Sequence, residues 1–301
     1  MNPQPARPST ALPTRRARVH GPSVRLDPRI NAYRGDLADI ALADRVIASH
    51  YAAPALQRCI TPVAAMRARP DHGATQISEL LHGEEFAVLE RRGGWAWGYS
   101  SHDRYVGYVP VETLGETAAP SHRIAAPQAL VFAAPDIKSP LRATLPLGAA
   151  VAVIGREGRF AALESGFIHE RHLGALAAAA GDPVDIATRF LGTPYLWGGR
   201  TRAGIDCSGL VQTVLAATGH AAPRDSDQQR DALGVAVDPN ELQRGDLVFF
   251  PGHVGLMANE TELLHANAWW MSTVIEPLHD VVERLKAQCE QPITAAKRIA
   301  F

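Results

Sequence analysis

The sequence predicts two small all-β barrels followed by an α+β domain, and three observations support this fold class. Short strand-like segments, separated by glycine and polar turns, recur between residues 61 and 110, as is typical of a small barrel. A weaker second copy of the pattern follows at a spacing of about 65 residues, which indicates two modules in tandem. Beyond residue 182, two helix-like segments precede three closely spaced strand-like ones, a succession that favours an α+β domain.

The elements of the two barrels are short and regularly spaced. In the first copy a helix is predicted at Asp36–Ala43, and the strands that follow it are Thr61–Val63, Thr75–Leu81, Phe86–Leu89, Trp95–Tyr99 and Tyr105–Pro110. The second copy repeats three of these strands at Val151–Ile154, Phe160–Leu163 and Gly166–His169.

The last domain begins with two predicted helices. Asp185–Gly192 ends at a glycine, and Ser208–Thr218 has its large apolar residues on one face. Three strands joined by tight turns follow at Leu247–Phe250, Val254–Met257 and Glu262–His265. The chain therefore divides into a disordered or extended arm (1–30), a first barrel with a helical lead-in (31–118), a second barrel (119–178) and the α+β domain (179–301).

Composition excludes several classes of function. The apolar fraction of 46% is enough for real cores, and 30 basic residues against 31 acidic ones leave a net charge of -1. Without a basic stripe or a long apolar run, neither nucleic acid nor a membrane is expected as a partner. The first 26 residues are rich in proline and arginine and lack the apolar core of an export signal, so a cytoplasmic location is expected.

Three cysteines are present, Cys59, Cys207 and Cys289, and three cannot all pair within one chain. None shares a C-x-x-C spacing with another, so no metal site is indicated, and no cofactor is implied. Free thiols fit a reducing compartment. Cys59 and Cys289 are interpreted as small buried hydrophobic residues.

Cys207 is different because it stands in a polar turn directly before the predicted helix that starts at Ser208. Asp206 and Ser208 are both good helix N-cap residues. A helix N-terminus favours the thiolate form of a cysteine and so lowers its pKa. The same position aims the backbone amide of Cys207 at the space in front of its sulfur, where an acyl oxyanion would form.

Two histidines provide a base and a group that orients it. His253 lies between Gly252 and Gly255 at the start of a strand, which leaves room for its imidazole. His265 lies one hairpin later on the same predicted sheet face, from where it reaches the far nitrogen of His253 and holds its tautomer. This is the pattern of a thiol nucleophile with a histidine base.

Five separated motifs make residues 182 to 301 resemble the NlpC-type family of papain-like cysteine peptidases. These motifs are Pro194–Gly199, Asp206–Gly209, Arg244–Leu247, Gly252–Gly255 and His265–Ala266. The two barrels resemble the bacterial SH3-like modules that precede such domains. The complete arrangement is similar to the γ-D-glutamyl-L-diamino acid endopeptidases that trim cell-wall peptides.

The resemblance implies a role for each matching residue. Cys207 would be the nucleophile, His253 the base and acid, and His265 the third polar group. Tyr195 would lend its hydroxyl to the oxyanion site beside the Cys207 amide. The pocket for the D-glutamyl and diamino acid parts of the substrate would be lined by Asp206, Ser208, Asp225 and Ser226.

The first barrel is expected to add specificity for a free amine. Related enzymes with two barrels cut only peptides that have a free N-terminal L-Ala, which an acid and a tyrosine of the first barrel bind. Tyr105 matches the tyrosine, and Glu84, or else Glu79 or Glu85, matches the acid. A buried polar wall of this kind rejects longer peptides and sugar-linked stems.

The predicted function is therefore hydrolysis of the γ-D-glutamyl–diamino acid bond of murein peptides through a cysteine thioester. The partner would be a peptidoglycan-derived peptide met during recycling, and the protein would be a monomer or a homodimer. Two alternatives stay open from the sequence. One is a thiol-dependent amidase or acyltransferase of the same superfamily, and the other is a vestigial enzyme that only binds wall peptides.

Overall fold

The structure is a computed structural model that describes residues 25–177, 181–287 and 289–300. The predicted N-terminal arm, 1–30, thus lies outside the described residues up to residue 24. A short lead-in precedes the first barrel and contains two parallel strands, β1 (Leu37–Asp39) and β2 (His50–Ala52). None of the helices in the described ranges has the length and apolar character needed to span a bilayer.

The first all-β unit is one sheet of seven strands. They are β3 (Ala55–Cys59), β4 (Val63–Arg67), β5 (Gln76–Leu81), β6 (Glu85–Arg92), β7 (Trp95–Ser100), β8 (Val106–Pro110) and β9 (Leu114–Gly115), in the order β5-β4-β8-β7-β6-β3-β9. All pairings in this sheet are antiparallel, and β4 and β6 each contain a register shift. Its core includes Met66, Leu80, Phe86 and Val109, so alternate residues of the strands face inward.

The second all-β unit has its own core and two sheets. One contains β10 (His122–Ile124), β13 (Ala150–Val151) and β17 (Leu173–Ala175), and the other contains β11 (Gln128–Phe132), β12 (Leu141–Pro146), β14 (Gly155–Glu157), β15 (Phe160–Leu163) and β16 (Gly166–His169). Ile124 from the first sheet packs with Val131, Leu145 and Ile168 from the second.

The α+β unit places helices against one antiparallel sheet. Its helices are α1 (Pro183–Thr188), α2 (Cys207–Ala217), α3 (Ser226–Ala232) and α4 (Leu278–Lys286), and a hairpin of β18 (Arg200–Thr201) and β19 (Gly204–Ile205) precedes α2. The sheet has the order β20-β25-β21-β22-β23-β24, formed by β20 (Val235–Ala236), β21 (Leu247–Phe250), β22 (His253–Met257), β23 (Glu262–Asn267), β24 (Ser272–Pro277) and β25 (Ala295–Arg298). Apolar residues of α2 pack against this sheet, which fixes the start of α2 beside the start of β22.

The units contact one another through polar groups. The carboxylate of Glu84, in the first barrel, forms an ion pair with Arg200 of β18 at 2.9 Å, and the Arg200 amide donates to Glu79 at 2.7 Å. Arg123, in β10, donates to the carbonyls of Ala216 and Ala217 at the end of α2. The first barrel is thereby held against the loop that precedes the first turn of α2.

The predicted order of two all-β units and one α+β unit is confirmed. The predicted boundaries at residues 118 and 178 stay predictions. Two predicted strands were misplaced: the strand predicted at Thr61–Val63 begins only at Val63, and the strand predicted at Val151–Ile154 ends at Val151. One predicted helix was wrong, because Asp36–Ala43 forms β1 and a 3-10 turn (Ile40–Leu42) instead. Asp39 is buried there, where it accepts a hydrogen bond from the Tyr99 hydroxyl and one from the Ala41 amide, so tertiary contacts override local helix propensity.

Candidate active site

The start of α2 is fixed by Asp206, whose side chain joins two backbone segments. Its Oδ1 accepts from the amide of Gly209 at 2.7 Å, as an N-cap residue does, and its Oδ2 accepts from the amide of Gly198 at 2.7 Å. A Cβ on Gly209 would lie 2.2 Å from the carbonyl oxygen of Gly199, so only glycine fits at this position. The loop from Gly198 is therefore packed tightly against the first turn that carries Cys207.

The buried side chain of Arg224 holds Asp206 in this position. Its guanidinium, 1% exposed, donates to both oxygens of Asp206 at 3.0 and 2.6 Å and to the Ser208 hydroxyl at 3.0 Å. Its Nε donates across to Ser78 of the first barrel at 3.1 Å. Asp206 and Ser208 were predicted to contact substrate, and both line the cleft. Their polar atoms are already engaged, so their first task is to hold the helix start in place.

The thiol of Cys207 is protonated in the free protein. Burial raises its pKa to about 11, the nearby charge of Asp206 adds to this, and the amides of Val254 and Ser208 oppose it. The pKa of Cys207 is therefore raised, although the position at the helix N-terminus was predicted to lower it. The few amides at the helix start do not outweigh the loss of hydration and a carboxylate in the same turn.

His253 and His265 are joined by a direct hydrogen bond. The His253 Nε2 lies 2.8 Å from the His265 Nδ1, and the two rings meet nearly edge to face with their centroids 5.0 Å apart. Burial, with the neighbouring His265, lowers the pKa of His253 to about 3, so its imidazole is neutral at physiological pH. A neutral imidazole has the lone pair that a base requires.

No hydrogen bond joins Cys207 and His253 among the described residues. The start of β22 lies beside the thiol, because the amide of Val254, the residue after His253, acts on Cys207. Catalytic contacts are often long in a ligand-free protein and shorten when substrate binds. The sulfur thus lies next to the strand that carries His253.

A cleft of about 290 Å³ opens in front of the sulfur. It is lined by the following residues: Arg29, Ile77, Tyr105, Tyr195, Trp197, Asp206, Cys207, Ser208, Arg224, Asp225, Ser226, Asp227 and Gly252. Tyr195 is half-buried, and burial together with the negative charge of Asp206 raises its pKa, so its hydroxyl keeps its proton. That hydroxyl has no hydrogen-bond partner within the described part of the chain, which leaves it available to a substrate oxygen.

One end of the cleft is closed by the first barrel and the lead-in. The Tyr105 hydroxyl lies 3.0 Å from both carboxylate oxygens of Asp225, and Arg29 donates to Asp225 at 2.8 Å. Arg29 also binds Asp27 and Asp227, each at 2.8 Å. Ser226, which opens α3 beside these groups, lines the same end. The predicted residues Tyr105, Asp225 and Ser226 are thereby brought together.

Glu84 requires a correction, because it does not reach the cleft. Both of its carboxylate oxygens are taken by Arg200, at 2.9 and 3.0 Å, and it lines a separate cavity where the three units meet. The two alternative acids do not line the cleft either. Glu79 accepts a hydrogen bond from the Arg200 amide, and Glu85 forms an ion pair with Arg58 at 2.6 Å. These acids of the first barrel therefore pair with arginines of β18 and β3. The acid that lies beside Tyr105 is Asp225 of the α+β unit.

Four charged residues of the site were missed from the sequence: Arg29, Arg224, Glu276 and Arg284. Arg29 and Arg224 act on partners that are distant in sequence, Asp225 and Ser78. Glu276 contacts His265 on the neighbouring strand and Arg284 on α4. Arg224 alone carried a signal, because it directly precedes Asp225, which the resemblance places in the substrate pocket. Single-sequence patterns carry no information about such long-range pairs.

Comparison with known proteins identifies two parts of the chain. Residues 192–282 match the NlpC/P60 family, and residues 66–114 match the bacterial dipeptidyl-peptidase SH3 domain. The chain carries an NlpC/P60 domain behind a bacterial SH3 domain. The predicted resemblance to NlpC-type cysteine peptidases is confirmed. The predicted enzyme class, cysteine peptidase, is confirmed with it. A second SH3 domain stays a prediction.

Two relatives match along most of the chain. A γ-D-glutamyl-L-lysine dipeptidyl-peptidase of Bacillus cereus is 26% identical over 67% of this chain and 70% of its own length. Dipeptidyl-peptidase 6 of Lysinibacillus sphaericus is 29% identical over 69% of this chain and 86% of its own length. A crystal structure of an NlpC/P60 family protein from Bacillus cereus has the same fold, with a TM-score of 0.68, 22% identity and coverage of 81% of this chain and 99% of that one.

Proposed function

We propose that this NlpC/P60 protein hydrolyses the γ-D-glutamyl–diamino acid bond of peptidoglycan-derived peptides that have a free N-terminal L-Ala. One observation carries the proposal: the cleft that holds the Cys207 thiol ends at the Tyr105–Asp225 pair, so nucleophile and amine site share one pocket. The two relatives that match along most of the chain are both named dipeptidyl-peptidases, and one of the two names includes γ-D-glutamyl-L-lysine. Action inside the cell, on recycled fragments, stays a prediction.

The geometry supports a thioester mechanism that begins from a neutral pair. As the Cys207 sulfur attacks the γ-carbonyl carbon of D-Glu, His253 takes the thiol proton, so charge develops only during the reaction. The oxyanion accepts hydrogen bonds from the Cys207 amide and the Tyr195 hydroxyl. His253 then returns the proton to the leaving amine as the C–N bond breaks. Water, deprotonated by His253, attacks the thioester and releases the L-Ala-γ-D-Glu dipeptide and the thiol.

The closed end of the cleft supports selectivity for an ammonium group. Asp27, Asp225 and Asp227 meet there, and Arg29 is the cation that binds all three. Arg224, the other arginine of the cleft, is paired with Asp206. Three carboxylates against the guanidinium of Arg29 therefore leave an excess of negative charge at this end. An N-terminal ammonium placed between Asp225 and Tyr105 offsets this charge, whereas an acylated nitrogen offers no charge and collides with the wall.

The proposal is tested with L-Ala-γ-D-Glu-L-Lys and its N-acetyl form, followed by mass spectrometry. We expect kcat/KM for the free peptide to exceed that for the acetylated peptide by at least about 10-fold, since a hydrogen bond to a charged group contributes about 1.5–3 kcal/mol and the clash of the acetyl group adds to this difference. Asp225→Asn should reduce this ratio by slowing the free peptide alone. Asp231→Asn, an exposed acid just beyond this site, is the matched control. Equal cleavage of both peptides by the wild type would remove the amine site from the proposal.

A further inference from the structure

We propose that Glu276 is a positioning residue that fixes the tautomers of both histidines, so that His253 presents an unprotonated Nδ1 to Cys207. The inference rests on the proposed thiol chemistry but concerns residues beyond the Cys207–His253–His265 set. Glu276 lies on β24, the edge strand next to β23, and its carboxylate is nearly buried behind His265.

A continuous chain of short contacts leads from His253 to the protein surface. The His265 Nε2 is 2.8 Å from the Glu276 Oε1, on the side of the ring opposite to His253. Arg284 of α4 holds the same carboxylate with two bonds, at 2.7 Å to Oε1 and 3.1 Å to Oε2. The Arg284 guanidinium stacks on the ring of Trp269 at 5.0 Å, which anchors the end of the chain.

The carboxylate decides where the protons lie. Burial acts to raise the pKa of Glu276, but hydrogen bonds from Arg284, Trp270 and His265 outweigh it and lower that pKa, so the group is ionised. An ionised carboxylate only accepts hydrogen bonds, and the His265 Nε2 must therefore carry a proton. The His265 Nδ1 is then an acceptor, and the His253 Nε2 must be its donor. The free lone pair of His253 is left on Nδ1.

Asn267 offers a hydrogen bond that competes with Glu276 for the His265 Nε2. Its Nδ2 is also 2.8 Å from the His265 Nε2, while its Oδ1 accepts from the amide of Trp270. If His265 accepted from Asn267, its Nε2 lone pair would face the Glu276 carboxylate at 2.8 Å. A bond to a charged acceptor is about twice as strong as a neutral one, so the Glu276 contact determines the tautomer.

The same chain supports the charge that forms during reaction. When His253 takes the thiol proton it becomes an imidazolium, and its Nε2–H donates more strongly to His265. The groups around His265 are His253, Asn267 and Glu276, with Arg284 behind the carboxylate. The negative charge of Glu276 stabilises the imidazolium through the intervening ring, and Arg284 keeps the carboxylate oriented and only partly neutralised.

The test combines kinetics with 15N NMR of the histidine rings. We expect both rings of the wild type to be protonated at Nε2, with His253 Nδ1 unprotonated. In Glu276→Gln we expect kcat to fall about 10- to 100-fold with little change in KM, as for other outer contacts of a catalytic group, and the tautomers to become mixed. Glu276→Asp, which keeps the charge, should retain the wild-type tautomers. Glu262→Gln, on the adjacent strand, is the matched control and should change nothing.

The NMR result is independent of turnover. A wild-type His253 protonated at Nδ1, or unchanged ring signals in a folded Glu276→Gln, would overturn the inference. If the wild type fails to cleave murein peptides but shows the expected tautomers, the proposed function fails and the positioning role stands. Should Glu276→Gln not fold, Arg284→Gln, in which the carboxylate stays, provides the second variant. Arg284→Gln should lower kcat less than Glu276→Gln does. An unaltered kcat in Arg284→Gln, together with altered tautomers in Glu276→Asp, would also count against the positioning role of Glu276.

Discussion

At the residue scale, the proposed nucleophile and its base are neutral groups that become charged only when they react. Burial holds the pKa of the Cys207 thiol at about 11 and that of the His253 imidazole at about 3. At neutral pH the thiol therefore keeps its proton and the imidazole lacks one. Substrate binding, which displaces water and brings the two side chains together, has to precede proton transfer.

This resting state predicts a simple pH dependence for alkylation of Cys207 by iodoacetamide. Because only the thiolate reacts, and the thiol pKa lies well above the value of about 8.5 for a free cysteine, the rate should still rise with pH up to about pH 10. The rate is measured by mass spectrometry of the Cys207 peptide, in a Cys59→Ala and Cys289→Ala background. A rate that reaches a plateau below pH 7 would indicate a resting thiolate–imidazolium pair instead.

Residue identities with local roles were predicted from the sequence. Cys207, His253 and His265 were recognised as a set, and the structure joins the two histidines at 2.8 Å. Asp206 was recognised as a cap, which depends only on the next three residues. Glu84 was placed wrongly because its partner Arg200 is more than one hundred residues away, and nothing in the local pattern reveals that contact.

At the element scale, α2 and the three strands that follow were predicted nearly to their ends. Their signals are local: a capping residue, an apolar face and a closing Gly219 for the helix, and apolar runs between turns for the strands. By contrast α3, with the sequence SDQQRDA, has no apolar face that a periodicity argument detects. Its position depends on Gln229, a buried side chain that donates to the carbonyl of Ser208 at 2.9 Å.

The start of α2 depends on the buried Arg224–Asp206 pair, and this predicts a large stability effect. Arg224→Met leaves the Asp206 charge buried without its partner, so the free energy of unfolding should fall by about 3–5 kcal/mol. Urea unfolding followed by circular dichroism measures the change. Arg230→Met, which removes an exposed arginine of α3, is the control and should change stability by no more than about 0.5 kcal/mol. A loss below about 1 kcal/mol for Arg224→Met would show that the pair does not stabilise the site.

At the scale of the whole molecule, the barrel supplies part of a pocket whose chemistry belongs to another unit. Tyr105 comes from the first barrel, Arg29 from the lead-in, and Cys207 and Asp225 from the NlpC/P60 domain. The Glu84–Arg200 pair and the Arg224–Ser78 contact hold the first barrel against the NlpC/P60 domain. Sequence analysis gave the order of the units and the contribution of Tyr105 to the cleft. It did not give the contacts that hold the units together, such as Glu84–Arg200, because packing between units is set by contacts that have no periodic pattern.

In the proposed mechanism, Cys207 forms a thioester with the dipeptide part of a murein peptide. The most direct test mixes the protein with L-Ala-γ-D-Glu-L-Lys, stops the reaction with acid and measures the intact mass. We expect an adduct of L-Ala-γ-D-Glu on Cys207, its loss with release of the dipeptide, and neither adduct nor turnover in Cys207→Ala. Transfer of the acyl group to an added amine in place of water would favour an acyltransferase. Full turnover by Cys207→Ala, or an adduct on a different residue, would contradict the account.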